Sequence, residues 1–334
     1  APLGDDVFAD DPSVNALQEH AAELLGFEAA LFAPSGTQTN LIALWGHCQR
    51  GDEAIVGQSW HTYRWEAGGM AVLGSIQPQP VETQPDGTLR LADIAAAIKP
   101  DDPHFARTRL VVLENTTGGQ VLPPEYVAEV AQLARQRGLA LHLDGARLFN
   151  AATANAARRG TDVYQEAREL CSHFDSVSVC LSKGLGAPVG SLVLGSAAFI
   201  RQARRTRKIL GGGMRQAGVL AAAGHYALQH HVRRLAEDHA NLHTLASGLR
   251  AVGENHPVLR GRITVHPWQT NILFTDVQAD VAPAFTAWLA QHQIRVTSSL
   301  YGGQSRLRWV THLDVNAADV QAALDCVARF TLPG

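Results

Sequence analysis

An α/β architecture, a large domain on a mostly parallel sheet followed by a small α+β domain, is predicted by three observations. Short continuous apolar runs alternate with helical patterns over the first two thirds of the chain, as in parallel sheets covered on both faces. The pattern shifts after about residue 230 toward short strands that read as an antiparallel sheet. With 334 residues, 46% hydrophobic and 18% charged, the chain is long and apolar enough for one large core and a smaller one.

The elements follow in order. Asp11-Pro12 opens a helix with Val14, Leu17, Ala21 and Leu24 on one face, and Gly26 stops it. Ala29–Ala33 reads as a buried strand, and Pro34-Ser35-Gly36-Thr37 turns into a helix from about Gln38 to Cys48. Further strands are expected at Ala54–Gly57, Leu110–Leu113, Leu139–Leu143, Ser176–Leu181 and Ser191–Leu194, with helices such as Glu125–Arg137 and Ala197–Leu210 between them. A long helical stretch over His231–Arg250 leads into strands at Ile263–His266, Asn271–Asp276, Ile294–Thr297 and Arg306–Thr311. Helices are expected near Val281–Gln293 and Ala317–Phe330. Domains are therefore expected at 1–230 and 231–334, closely packed, with the cleft between them as a natural ligand site.

Composition excludes several classes. A net charge of −3 argues against a dedicated nucleic-acid or membrane-surface binder. No apolar run approaches the length of a membrane span, and the chain does not open like a signal peptide. Cys48, Cys171, Cys180 and Cys326 have no ligand-like spacing, so reduced thiols, a cytoplasmic location and no metal are expected.

Lysine is scarce: only Lys99, Lys183 and Lys208 occur. Lys99 precedes a proline at a helix end, a solvated position. Lys208 closes the basic run Arg204-Arg205-Thr206-Arg207-Lys208, a solvated helix face or an electrostatic patch toward an anion. Lys183 follows the apolar run Val177–Leu181 and precedes Gly184-Leu185-Gly186. It is either a snorkelling strand-end lysine or a partly desolvated amine, with lowered pKa, able to attack a carbonyl. Asp144 closes the run Leu139–Leu143, 39 residues before Lys183, about one strand–helix–strand unit. Its carboxylate either pairs with Arg147 or caps the next helix, or it keeps a cofactor's pyridinium nitrogen protonated. Gly36 and Thr37 sit where a strand turns into a helix, a ready anion site though a common one. His61 can stack on an aromatic cofactor or pack as an ordinary histidine, one of 15; His104 has the same standing. Gly211-Gly212-Gly213 allows close backbone approach. One of Arg306 and Arg308, alternating on a small-domain strand, is placed to fork onto a carboxylate.

Taken together, these segments resemble the low-specificity L-threonine aldolase family of fold-type I pyridoxal-phosphate enzymes. The matching stretches are Gly4-Asp5-Asp6-Val7, Asp10-Asp11-Pro12-Ser13-Val14-Asn15, Pro34-Ser35-Gly36-Thr37-Gln38, Glu66-Ala67-Gly68-Gly69 and His142-Leu143-Asp144-Gly145-Ala146-Arg147. The run Leu181–Gly190, Gly211-Gly212-Gly213-Met214-Arg215-Gln216 and Thr311-His312-Leu313-Asp314 complete them, in family order. The resemblance implies an aspartate-aminotransferase-like fold and a pyridoxal 5'-phosphate cofactor held by Lys183 as a Schiff base. It makes Asp144 the pyridinium partner, Arg147 the arginine beside the cofactor, and Gly36 and Thr37 the phosphate loop. His61 matches the histidine stacked on the ring and a candidate for proton transfer. His104 is matched to a second active-site histidine, Arg308 to the substrate-carboxylate arginine, and Lys208 and Arg215 to basic residues near the phosphate that involve a neighbouring subunit. The implied reaction is reversible cleavage of threonine, allo-threonine and other β-hydroxy-α-amino acids to glycine and an aldehyde, in a homotetramer built from catalytic dimers.

Two departures stand out. The family's Arg-Ser-Asp-Thr segment, whose serine helps hold the substrate carboxylate, belongs ahead of the point where Ala1-Pro2-Leu3-Gly4 stands. Phe8 replaces a common tyrosine, so a hydroxyl contact is lost there. The alternatives are another fold-type I activity, such as β-elimination, transamination or hydroxymethyl transfer, and a non-catalytic homologue acting as a scaffold.

Overall fold

In the computed structural model, which describes residues 1–301 and 304–332, Asp11 caps the first helix, Pro12–Leu25, by accepting from the Ser13 and Val14 amides. Gly26 closes that helix in the left-handed conformation, φ 80°. The chain divides into two compact units: residues 1–117 with 121–233, and residues 118–120 with 234–334.

The first unit holds a seven-stranded sheet. Its strands are β1 (Ala29–Ala33), β2 (Asp52–Gly57), β3 (Gln77–Val81), β4 (Arg107–Glu114), β5 (Ala140–Asp144), β6 (Ser176–Cys180) and β7 (Ser191–Gly195). Their spatial order is β1-β7-β6-β5-β4-β2-β3. β3, β2, β4, β5 and β6 are mutually parallel, and β7 alone runs antiparallel between β6 and β1. It follows that β1, β2, β4, β5 and β6 all end at the same sheet edge. Ala33, Ser191 and Cys180 lie in one row across it, and Glu114, Asp144 and Ser178 in another. The strands are apolar on both faces because helices cover both sides. Leu31, Ile42, Val193 and Ile200 form one such cluster and Leu44, Ala54, Ile76 and Val112 another. A fully buried side chain of this size contributes about 1.5–3 kcal/mol.

The structure extends the expected elements. β3 carries two prolines and was not expected; it is an edge strand, paired only with β2, where a missing amide donor costs little. Helices Leu91–Ala97, Leu148–Arg159 and Val163–Cys171 were also unforeseen. The helical stretch expected over His231–Arg250 is the single helix Leu235–Asn255, and the helix Gly218–His230 that precedes it was not expected.

The second unit is a four-stranded antiparallel sheet in the order β10-β11-β9-β8, made of β8 (Ile263–Val265), β9 (Ile272–Gln278), β10 (Thr297–Tyr301) and β11 (Gln304–Val310). The strand expected at Ile294–Thr297 begins only at Thr297, since Gln293 turns left-handed at φ 63°. The unit's core gathers Leu245, Leu249, Leu273, Phe285, Leu307 and Trp309. Among the described residues, no helix is long and apolar enough to cross a membrane.

Candidate active site

The shared strand edge of the first unit gathers most of the residues singled out in the sequence. After β1, Ser35 caps the helix Gly36–His47 by accepting from the Gln38 amide at 3.2 Å. The Gly36 and Thr37 amides, first in that helix, have no hydrogen-bond acceptor among the described residues. They project from a helix N-terminus, where the dipole favours an anion. A Cβ on Gly36 would stand 2.6 Å from Cys180 Sγ at the end of β6, so only glycine lets this turn lie so close to that strand. The Gly211–Gly213 stretch runs against the same helix: a Cβ on Gly212 would collide with Gln38 Oε1 at 1.8 Å. Lys208 lies beside Gly213.

Lys183 stands three residues beyond β6, in the turn where its carbonyl accepts from the Gly186 amide at 2.9 Å. It is exposed rather than partly desolvated as expected, because the glycine-flanked turn lifts it clear of the strand. Its ammonium faces the cluster at the edge, opposing protonation of His61 and favouring ionisation of Glu114. Asp144, the last residue of β5, is buried. Its Oδ2 accepts from Asn40 Nδ2 at 2.8 Å and its Oδ1 from the Ala146 amide at 3.1 Å. Arg147, half-buried, follows at the start of the helix Leu148–Arg159.

His61 opens the short helix His61–Arg64 after β2. Its amide donates to Glu114 Oε2 at 2.5 Å, and its Nδ1 meets Glu66 Oε1 at 2.8 Å. The Glu66 hydrogen bond raises the imidazole pKa above its ordinary value, burial works against this, and the Glu66 and Asp144 charges reinforce it. Burial pushes the Glu66 carboxyl up, opposed by its bonds from His61 and Asn40. Burial, then the neighbouring Asp144 charge, pushes the Glu114 carboxyl up to about 8. Asn40, Glu66 and Glu114 were not named as site residues by the sequence. Glu66 lies within a matched motif five residues after His61, and Asn40 within the segment that carries the turn. His61, Glu66 and Asp144 bring ligand-type atoms within 4.8 Å of one another, the only such trio among the described residues. The gaps between them are bridged by the Asn40 amide and the His61–Glu66 bond.

Three expected residues have other settings. His104 does not join the cluster: it lies in the loop entering β4, whereas Glu114 ends that strand. Eight residues of strand separate the two by roughly 23 Å. Its ring is 85% exposed and pairs with Asp102 at 2.7 Å. Arg215 is exposed and paired with Asp5 at 2.7 Å. Arg308 lies on β11 of the second unit, half-buried, with no ion pair among the described residues, and burial lowers its pKa. Arg306 shares that face but is engaged by Asp276 at 2.7 Å. Sequence reading also missed Arg207: it is buried, donates to the Phe32 carbonyl at 2.6 Å and pairs with Asp6 at 2.7 Å.

The description of beta-eliminating lyases as a family matches residues 1–280. The low specificity L-threonine aldolase of Escherichia coli (strain K12) is 52% identical over 316 residues, covering 95% of this chain and 88% of its own. The probable low-specificity L-threonine aldolase 2 of Arabidopsis thaliana is 42% identical over 338 residues, covering 99% and 91%. A solved structure of Leishmania major threonine aldolase superposes with a TM-score of 0.79 at 23% identity, over 96% of this chain and 90% of that one, and shares its fold. The match takes in the whole strand-edge cluster and runs through β9, and the chain belongs to the beta-eliminating lyase family.

Proposed function

We propose that this chain cleaves the Cα–Cβ bond of threonine, allo-threonine and related β-hydroxy-α-amino acids to give glycine and an aldehyde. The observation that carries the reading is the meeting, at one sheet edge, of a lysine, a buried carboxylate and a helix N-terminus with free amides. That donor set fits pyridoxal 5'-phosphate, the cofactor of this lyase, which when bound supplies a sink for the electron pair left on Cα. The Gly36 and Thr37 amides would hold its phosphate, and the resemblance assigns Lys208 and Arg215 as cations toward it. Lys183 would supply the amine that attaches it, Asp144 would keep its ring nitrogen protonated, and the resemblance sets Arg147 beside it.

The chain's own groups account for the remaining work. His61 would lie against the ring of that cofactor, as the resemblance implies, and would accept the β-hydroxyl proton at Nε2, the nitrogen not engaged by Glu66. The resemblance assigns the orientation of the substrate carboxylate to Arg308, with Arg147 also matched to substrate binding; positioning of this kind can remove several kcal/mol from a barrier, up to about 7–11. The same family resemblance supports a cytoplasmic homotetramer of catalytic dimers, and all four cysteines are free thiols.

The test is product analysis on the purified chain incubated with cofactor and L-threonine. Acetaldehyde and glycine in equal amounts are expected; 2-oxobutanoate with ammonia would instead mark β-elimination. Comparing kcat/KM for L-threonine, L-allo-threonine and L-phenylserine then defines the substrate range.

A further inference from the structure

We propose that Glu66 is a positioning residue, yoked by Asn40 to Asp144, that fixes the tautomer and raises the basicity of His61. The inference rests on the aldolase reading only for what His61 does with its proton. The geometry is a chain of four side chains. Asn40 Nδ2 donates to Asp144 Oδ2 and to Glu66 Oε1, each at 2.8 Å, and Glu66 Oε1 also meets His61 Nδ1 at 2.8 Å. Both acceptors are carboxylates, so the amide nitrogen, not the oxygen, must face them. An ionised carboxylate only accepts, so Nδ1 carries the imidazole hydrogen and Nε2 is left as the basic lone pair.

Each member has a distinct part. Without Asn40, two buried carboxylates would face each other unscreened, and Glu66 would take up a proton or turn away. With Asn40 in place the two carboxylates share one amide donor between them, and the imidazolium formed when His61 accepts a proton has a partner at Nδ1. Glu114 from β4 receives the His61 backbone amide and so anchors the main chain, not the ring. The charged groups that act on the ring are Glu66, Asp144 and, with opposite sign, Lys183. Removing Glu66 should thus lower the His61 pKa, leaving a weaker base free to rotate.

Hydrogen–deuterium exchange at the His61 C2 position, read by peptide mass spectrometry against pH, gives the titration midpoint of that one ring in the full chain, with and without cofactor. The expected result is a Glu66→Gln midpoint about one pH unit below wild type, a smaller fall in Asn40→Leu, and partial return in Glu66→Asp. The His104 midpoint, outside the cluster, should not move. In the loaded enzyme the acid limb of kcat should shift down with His61 while KM changes less. An unchanged His61 midpoint in folded Glu66→Gln, or an equal fall at His104, would overturn the proposal. Should Glu66→Gln not fold, Glu66→Asp carries the test, and an unshifted midpoint there overturns it equally. A wild-type chain that shows these midpoints but releases no aldehyde from threonine would remove the aldolase reading and leave the brace standing.

Discussion

Glu114 and Asp144 are register partners at the ends of the adjacent parallel strands β4 and β5. Two carboxylates therefore stand side by side at the edge where the site is built, and their environments separate them. Asp144 accepts from Asn40 and from the Ala146 amide. Glu114 is driven up to about 8 by burial first and by the charge of Asp144 next, against the lowering effect of the His61 amide bond at 2.5 Å.

This asymmetry makes stability depend on pH. The folded-state pKa of Glu114 lies above the ordinary carboxylate range, so between that range and about pH 8 the folded chain holds a proton that the unfolded chain has released. Stability falls as pH rises through this window, and the penalty is complete above it. Glu114→Gln keeps the shape and removes the titration. Its Tm should exceed wild type by a few degrees at pH 9 and by little or nothing at pH 5. Thermal unfolding at both values checks this; an equal change at both would remove titration as its cause.

Lys183→Ala should bring turnover to background and abolish the visible absorbance of the cofactor-loaded protein, with far-ultraviolet circular dichroism unchanged. The position is exposed, in a turn beyond β6, so no core packing is lost. An absorbance spectrum and an aldehyde-release assay suffice. Retention of the visible band would mean that Lys99 or Lys208 attaches the cofactor instead.

Much of this was legible in the sequence. Asp11-Pro12 with Gly26 marked a helix because capping is local chemistry, and β1, β5, β6 and β7 showed as apolar runs because both sheet faces are covered. Residues that depend on distant partners were not legible. Asn40 reads as a helix residue until β5 brings Asp144 beside it, 104 positions later in the chain. Arg207 reads as one more cation in a basic run, and only the fold turns it inward onto Asp6. His104 was matched to a second active-site histidine through the family resemblance, and only the fold places it at the entry of β4, at the opposite end of the strand from Glu114.

The Arg207–Asp6 pair should be worth far more to stability than surface pairs such as Arg90–Glu82. Both partners are buried, and Arg207 also satisfies the Phe32 carbonyl. Arg207→Met leaves Asp6 as an uncompensated buried charge, and a loss of about 3–5 kcal/mol is expected in denaturant unfolding. Adding Asp6→Leu removes that charge and should restore most of the loss. A single variant as stable as wild type, or a double variant no better than the single, would contradict this.

The contact between Gly36 and Cys180 gives the last prediction. A Cβ at residue 36 would lie 2.6 Å from the buried Cys180 sulfur, and neither the helix start nor β6 can yield without moving the free amides of Gly36 and Thr37. Overpacking of this kind costs about 1–3 kcal/mol. Were that cost levied on the cofactor-bound arrangement, the Kd for pyridoxal phosphate in Gly36→Ala would rise by about ten- to a hundredfold. Cys180→Ala removes the opposing atom. Alone it should change cofactor binding little, and with Gly36→Ala it should return the Kd toward wild type, because the introduced methyl then occupies the space the sulfur vacates. Titration of each cofactor-free variant with pyridoxal phosphate, followed by absorbance, measures all four corners of this cycle. If the double variant binds as weakly as Gly36→Ala alone, steric pressure from Cys180 is not what requires glycine at this turn.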